Sequence, residues 1–339
     1  MKEAFLSMQV SKLLDGVASI ADWETKRSEI RRKWLDTIGG IPEKVPSLVK
    51  ILDETVELNH TRVHLTYDTV FGDVVTAYLL VPNNRAQNQI LPAIVAAHPT
   101  SSIGKAEVAT VQGKFDHQYG LELVSRGYVV LAPDTITAGE RLKDGQTPYR
   151  TEPFYQENPE WSAVAKMIVD HSQGIDVLCS FPFVDPSRIG AIGHSLGGYN
   201  AYFLAAMDDR IRAVVCSGGF GMFAGDPEPH HWGLRDWFSH IPEISRMVDR
   251  GQLPPFEFHE IAALLAPVPF LNWSAQEDRF FPNWQQIGMA MIELSGLYRF
   301  LGAEERFVSI LGDGGHRFPG WVRSVAYDFL DRWLKKETI

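Results

Sequence analysis

Cysteine is nearly absent. Cys179 and Cys216 are the two in 339 residues, too few for a disulfide framework. Cys179 falls in an expected helix and Cys216 in an expected buried strand, so both read as buried free thiols suited to a reducing compartment. Cationic excess is missing too. The formal net charge is −10, and the one basic cluster, Lys26, Arg27, Arg31 and Lys33, reads as the solvated face of a helix. That balance argues against nucleic acid, an anionic membrane surface or a polyanionic substrate as partner. No apolar run reaches the eighteen or more residues of a membrane span. Met1 to Val10 shows no apolar core followed by a small-residue cleavage site, so no signal peptide is expected. The reading is a soluble, cytoplasmic protein, although a mature secreted form without its leader would have the same sequence. No internal repeat or low-complexity tract occurs.

What is present is the composition of a globular chain, 45% hydrophobic and 22% charged, with ample length for a large core. Residues 1 to about 55 read as a helical appendage, with Trp23, Ile30, Trp34 and Leu35 at helix spacing and Gly39-Gly40 and Pro42 as the stop. Val56 to Tyr67 and Val74 to Val81 alternate as two antiparallel strands about a turn at Phe71-Gly72-Asp73. From Leu91 the chain alternates strand and helix. Leu91 to Ala97 is a strand, Phe115 to Arg126 a helix, Tyr128 to Ala132 a strand, Trp161 to Phe181 a helix and Ile189 to Ile192 a strand. That order predicts an α/β domain, 56–339, with a mostly parallel central sheet and helices on both faces, its site at the carboxyl ends of the strands. The rhythm breaks over residues 218–265, between strands Ala213 to Ser217 and Val268 to Ser274. A connection this long reads as a cap over the site, with Phe220, Met222, Phe223, Trp232 and Trp237 as its apolar lining. Pro282 to Gly296, Phe307 to Leu311 and Trp321 to Lys335 then read as helix, strand and closing helix.

The organising stretch is Arg188 to Tyr202. An apolar strand runs into Gly193-His194-Ser195-Leu196-Gly197, and an apolar helix follows at once. A strand that reverses directly into a helix brings backbones very close, so glycines are required on both sides of the central residue. Ser195 is thereby pushed out at the top of the sheet, above unpaired helix N–H groups that favour an anion.

A serine hydroxyl needs a base and a group that orients the base. In a sheet of this kind the acid follows a later strand and the histidine precedes the last helix. His316, in Gly312-Asp313-Gly314-Gly315-His316, has that position. His98 and His194 belong to other motif positions, and His117 and His171 lie on helices. Asp278, after the strand ending near Ser274, is favoured as the acid over Glu277 and over Asp313, which suits local turn capping. The oxyanion needs two backbone donors. Leu196 supplies one, and the loop after Ala97 supplies the other. Pro99 has no N–H, which leaves Thr100, with Ser101 next. His98 is expected to prop that loop and to border the substrate. The pairs His60/His64 and His230/His231 lack a third ligand at metal spacing, so neither metal nor organic cofactor is expected.

With Ser195, Asp278, His316 and the His98-Pro99-Thr100 loop placed, the chain resembles the α/β-hydrolase superfamily over roughly Val74 to Lys335. Within it, the chain looks like the esterases grouped with dienelactone hydrolases, acetyl xylan esterases and prolyl-oligopeptidase-type catalytic domains. Ala132-Pro133-Asp134 followed by Gly139-Glu140-Arg141 resembles a segment of the acetyl-esterase branch. The resemblance implies the α/β-hydrolase fold and a serine nucleophile acting through an acyl-enzyme. Dienelactone hydrolases proper use cysteine where Ser195 stands, and oligopeptidases add a propeller that this chain lacks. The expected function is hydrolysis of a small to medium, uncharged or aromatic carboxylic ester, with a small-molecule ester as partner. A peptidase or amidase with the same triad and a catalytically silent binding protein stand as alternatives. Homo-oligomer formation is left open.

Overall fold

The computed structural model describes residues 1–143 and 145–335. Two helices open the chain, α1 (Lys2–Ser7) and α2 (Ile20–Ile38). A capping box at Ser19 and Asp22 starts α2, and Gly39, at φ 87°, ends it in the left-handed conformation that glycine adopts freely. Next come β1 (Val49–Val56), β2 (His60–Thr69), β3 (Asp73–Pro82) and β4 (Leu91–Ala97). The expectation that the appendage is helical to about residue 55 is corrected here. Val49–Val56 is an edge strand, and all but one of its residues are exposed, so it lacks the buried face whose alternation marks a strand in sequence.

The order continues with α3 (Ala106–Ala109), α4 (Tyr119–Ser125), β5 (Val129–Pro133), α5 (Glu152–Glu157), α6 (Ala163–Ser180), β6 (Val184–His194) and α7 (Leu196–Met207). The helix expected over Phe115 to Arg126 is divided into a short 3-10 turn at Phe115–His117 and α4. After β7 (Ile211–Ser217) the long connection carries α8 (Pro242–Asp249) and α9 (Phe258–Ala263). The chain closes through β8 (Phe270–Ala275), α10 (Trp284–Phe300), β9 (Phe307–Gly312) and α11 (Gly320–Leu334).

Among the described residues the strands form one sheet in the order β1-β2-β3-β5-β4-β6-β7-β8-β9. The first three are antiparallel, β3 meets β5 antiparallel, and every pairing from β5 through β9 is parallel. Strands β4 and β5 are buried along their whole length, as strands covered on both faces must be. Two cores result, one on each face of the sheet. No described helix is long and apolar enough to cross a membrane.

The appendage is part of the larger core. Phe5, Trp23 and Trp34 are fully buried. Trp34 packs on Phe203 of α7 at 5.0 Å between ring centroids and on Phe256 at 5.1 Å. The connection over 218–265 likewise sends Phe223, Trp232 and Phe258 inward as one aromatic cluster.

Candidate active site

Ser195 joins β6 to α7 at φ 56° and ψ −121°, a conformation that costs a non-glycine residue on the order of 1–3 kcal/mol. Close packing enforces it. A Cβ at Gly193 would meet the backbone of Gly197, and one at Gly197 would meet the carbonyl oxygen of Ala97. The Ser195 N–H donates to Ser217 O at 2.8 Å, which ties the turn to β7. Ser195 lines a cavity of about 920 Å³ together with Thr100, Leu196, Trp232, Trp237 and His316.

His316 lies in the loop between β9 and α11. Its Nδ1–H donates to Asp278 Oδ2 at 2.7 Å. The other oxygen, Asp278 Oδ1, accepts the Phe280 N–H at 2.9 Å and the Phe281 N–H at 3.3 Å. A carboxylate held on both oxygens fixes the imidazole tautomer and its orientation, leaving Nε2 toward the cavity. The ring is wedged between His194, at 4.7 Å, and Phe280, also at 4.7 Å. Glu277 lines the cavity wall, and Asp313 is exposed in the loop; neither bonds His316.

His194 is buried, and desolvation, reinforced by the neighbouring His316 and His117, holds its imidazole well below the ordinary range. Its Nδ1 meets Ser217 Oγ at 3.0 Å, so it is packing beneath the site. His98 is fully buried as well. Its Nδ1–H donates to Pro99 O at 2.7 Å, and its Nε2 accepts the Thr135 N–H at 3.1 Å. That pattern defines a neutral imidazole, in keeping with the downward shift that burial imposes. His98 therefore props the loop and does not border the cavity, which corrects its assignment to the substrate.

The same loop separates the two donor candidates. The Ser101 N–H is occupied by Tyr149 Oη at 2.7 Å, and Tyr149 O–H donates back to Ser101 O at 2.8 Å. Among the described residues the Thr100 and Leu196 N–H groups have no protein acceptor, and both residues line the cavity. Ser101 Oγ donates to Glu107, which also accepts from the Lys114 N–H and from His117 Nδ1. Burial alone would raise Glu107, but these hydrogen bonds outweigh it and hold the carboxyl at about 2.

Three more assignments to the cavity wall are corrected, Phe223 among them, since it packs on Phe5 and Phe258. Phe220 is buried against Tyr202 with rings stacked at 5.4 Å, and Met222 is buried with its carbonyl accepting from Asn283. Apolar type alone does not say whether a loop residue faces a ligand or the core, and here the core takes these side chains. Trp232 and Trp237 do line the cavity. Arg235, Tyr199 and His240, absent from the sequence expectation, line it too. Tyr199 was within reach of sequence reasoning, since it lies four residues after Ser195, one turn along the same helix. Arg235 and His240 come from the irregular connection, which has no periodicity to read.

The Pro133-Asp134 and Gly139-Glu140-Arg141 segment lies behind the site as a buried ion network. Asp134 accepts from Lys105 Nζ and from the Lys105 N–H, both at 2.7 Å, and from Thr76 at 2.6 Å. Arg141 pairs with Asp170 at 2.8 Å and with Asp73. Because Lys105 ends the Thr100 loop, this network anchors one wall of the site. Among the described residues no group of three or more His, Cys, Asp or Glu side chains is arranged to hold a metal ion.

A mostly parallel sheet with a strained serine at the β6–α7 turn and a His–Asp pair on the loops after β8 and β9 is the α/β-hydrolase fold. Residues 82–237 match the dienelactone hydrolase family, a segment that contains Ser195 and ends before Asp278 and His316. The chain thus has the α/β-hydrolase fold, with the family likeness confined to that segment. YtaP of Bacillus subtilis (strain 168), named as a hydrolase, is 26% identical over 91% of this chain and 100% of its own length. The 4-O-methyl-glucuronoyl methylesterase of Phanerochaete carnosa is 22% identical over 94% of this chain and 78% of its own length. Among solved structures, a glucuronoyl esterase from Solibacter usitatus superposes with a TM-score of 0.71 at 20% identity, covering 96% of each chain.

Proposed function

We propose that the protein is a serine hydrolase of carboxylic esters working through an acyl-enzyme. The observation that carries this is the meeting of Ser195, in its strained turn, and the Asp278-oriented His316 on one cavity. Ser195 Oγ attacks the ester carbonyl as His316 Nε2 takes its proton. The Leu196 and Thr100 N–H groups receive the tetrahedral oxyanion. His316 then protonates the departing alcohol, and a water activated by His316 releases the acid. Asp278 stabilises the imidazolium throughout. The esterase names of two of the relatives described above agree with this reading.

The test is hydrolysis of 4-nitrophenyl acetate, butyrate and octanoate beside an amino-acyl 4-nitroanilide, by the native protein and by Ser195→Ala. Serine-dependent ester cleavage with little anilide cleavage is expected, and the chain-length profile sizes the acyl pocket. Anilide cleavage exceeding ester cleavage would make the protein a peptidase. Ester cleavage that survives Ser195→Ala would remove Ser195 from the mechanism.

A further inference from the structure

Three arginines elsewhere in the protein that are partly or wholly withdrawn from water are neutralised by carboxylates. Arg141 meets Asp73 and Asp170, Arg210 meets Asp176 and Asp208, and Arg323 meets Glu122. Arg235 departs from this pattern. It lies in the connection between β7 and α8, half-buried in the wall of the cavity that holds Ser195 and His316. Its Nε–H donates to Phe238 O at 3.2 Å, and its guanidinium lies over the Trp237 ring at 5.1 Å. Those contacts fix the stem and plane of the side chain. Among the described residues no carboxylate comes within ion-pair distance of it, and its two terminal nitrogens have no hydrogen-bond partner. A guanidinium partly withdrawn from water without a counter-charge is costly to maintain, and its planar fork matches a carboxylate.

The surroundings strengthen such a pairing. Trp232, Trp237 and Phe238 supply low-polarity walls, where charge-assisted hydrogen bonds gain strength. Tyr199 is bonded through its hydroxyl to His240, and burial holds the phenol neutral, so it offers the arginine no counter-charge. Burial depresses the basicity of Arg235, and Tyr199 lines the same cavity. Tyr199 in turn lies one helical turn, about 5–6 Å, beyond Ser195. Lys114 and Arg279 add positive charge to the cavity wall, Asp116 is engaged by Arg317 at 2.7 Å, and Glu277 is the remaining acidic group there among the described residues. In a chain of net charge −10, this is a local reversal of sign at the site.

We propose that Arg235 is a specificity-determining residue and that it receives a carboxylate carried by the ester substrate. This rests on the ester-hydrolase reading and replaces the expectation of an uncharged ester with an acidic one. The carboxylate can belong to the acyl part, as in a half-ester of a dicarboxylic acid, or to the alcohol part, as in an acylated hydroxy acid.

Two matched pairs of esters separate those sources. The first is 4-nitrophenyl hemiglutarate against 4-nitrophenyl valerate, and the second is 4-acetoxybenzoate against its methyl ester. For each pair the ratio of kcat/KM, acid over neutral, is measured for the native protein, Arg235→Gln and Arg235→Lys, with melting curves as the check on folding. In one pair the native ratio should reach about tenfold or more, fall by about 10- to 100-fold in Arg235→Gln and be partly retained in Arg235→Lys. The pair that responds identifies the side that carries the carboxylate. Neutral esters cleaved well, with native ratios at or below one in both pairs, overturn the inference and leave the esterase intact. An unchanged ratio in Arg235→Gln also overturns it. If that variant does not fold, the native ratios and Arg235→Lys decide. If no ester is cleaved, the esterase reading fails and calorimetric binding of glutarate and 4-hydroxybenzoate to Ser195→Ala decides. Binding of either that weakens about tenfold on adding Arg235→Gln supports the carboxylate site, and absent or unaffected binding overturns it.

Discussion

At Asp278 one carboxylate performs two tasks, accepting from His316 on one oxygen and from the Phe280 and Phe281 amides on the other. Asp278→Asn keeps the shape and presents an amide that favours the wrong imidazole tautomer. It should lower kcat by as much as about 10⁴-fold, as such a change does in the Ser-His-Asp template, with the fold intact by circular dichroism. Glu277→Gln should do far less, and the reverse ranking would reassign the acid. Thr100→Ala should cost well under the roughly 10²–10³-fold loss that follows removal of an oxyanion donor, because the backbone N–H remains. A loss of that full size would mean that the Thr100 hydroxyl takes part. These residues were legible because a strained turn requires glycines at fixed offsets and the partners follow in a set order. Arg235 was not legible, because its meaning comes from the lack of a carboxylate beside it among the described residues.

The loop after β4 shows how an element is held in place. Glu107 binds it through Ser101 and reaches His117 and the Lys114 N–H on the other side. With its carboxyl held at about 2, against an ordinary 4.5, the ionised form is the one the fold prefers. The stability it contributes is fully present above about pH 4.5 and is lost as pH falls through 2. Glu107→Gln should therefore lose less melting temperature than the native protein between pH 5 and pH 3, while melting lower at pH 7. Equal slopes would show that the carboxylate is not linked to folding. At this scale the buried parallel strands and helix α7 were readable from apolar runs and turn residues. Edge strand β1 was not, because an exposed strand carries no burial pattern.

The whole molecule joins the N-terminal helices and the connection over 218–265 to helix α7 through one core. Trp34 is one link, packed between Phe203 and Phe256. Trp34→Ala should cost about 3–5 kcal/mol in urea unfolding, the usual penalty for deleting a buried large aromatic side chain. A penalty near zero would show that the N-terminal segment is not coupled to the rest. By itself the sequence determined the α/β class, the Ser195 turn, and the order in which Asp278 and His316 follow. All three rest on local rules, hydrophobic period and the steric demand for glycine, that act over a few residues. Only the tertiary structure decided which aromatic residues of the long connection face the cavity and which fill the core. It alone withdrew His98 from the substrate and placed Arg235 in the cavity wall. Those outcomes depend on which distant surfaces meet, and burial and charge pairing are properties of that meeting, not of the residues taken singly.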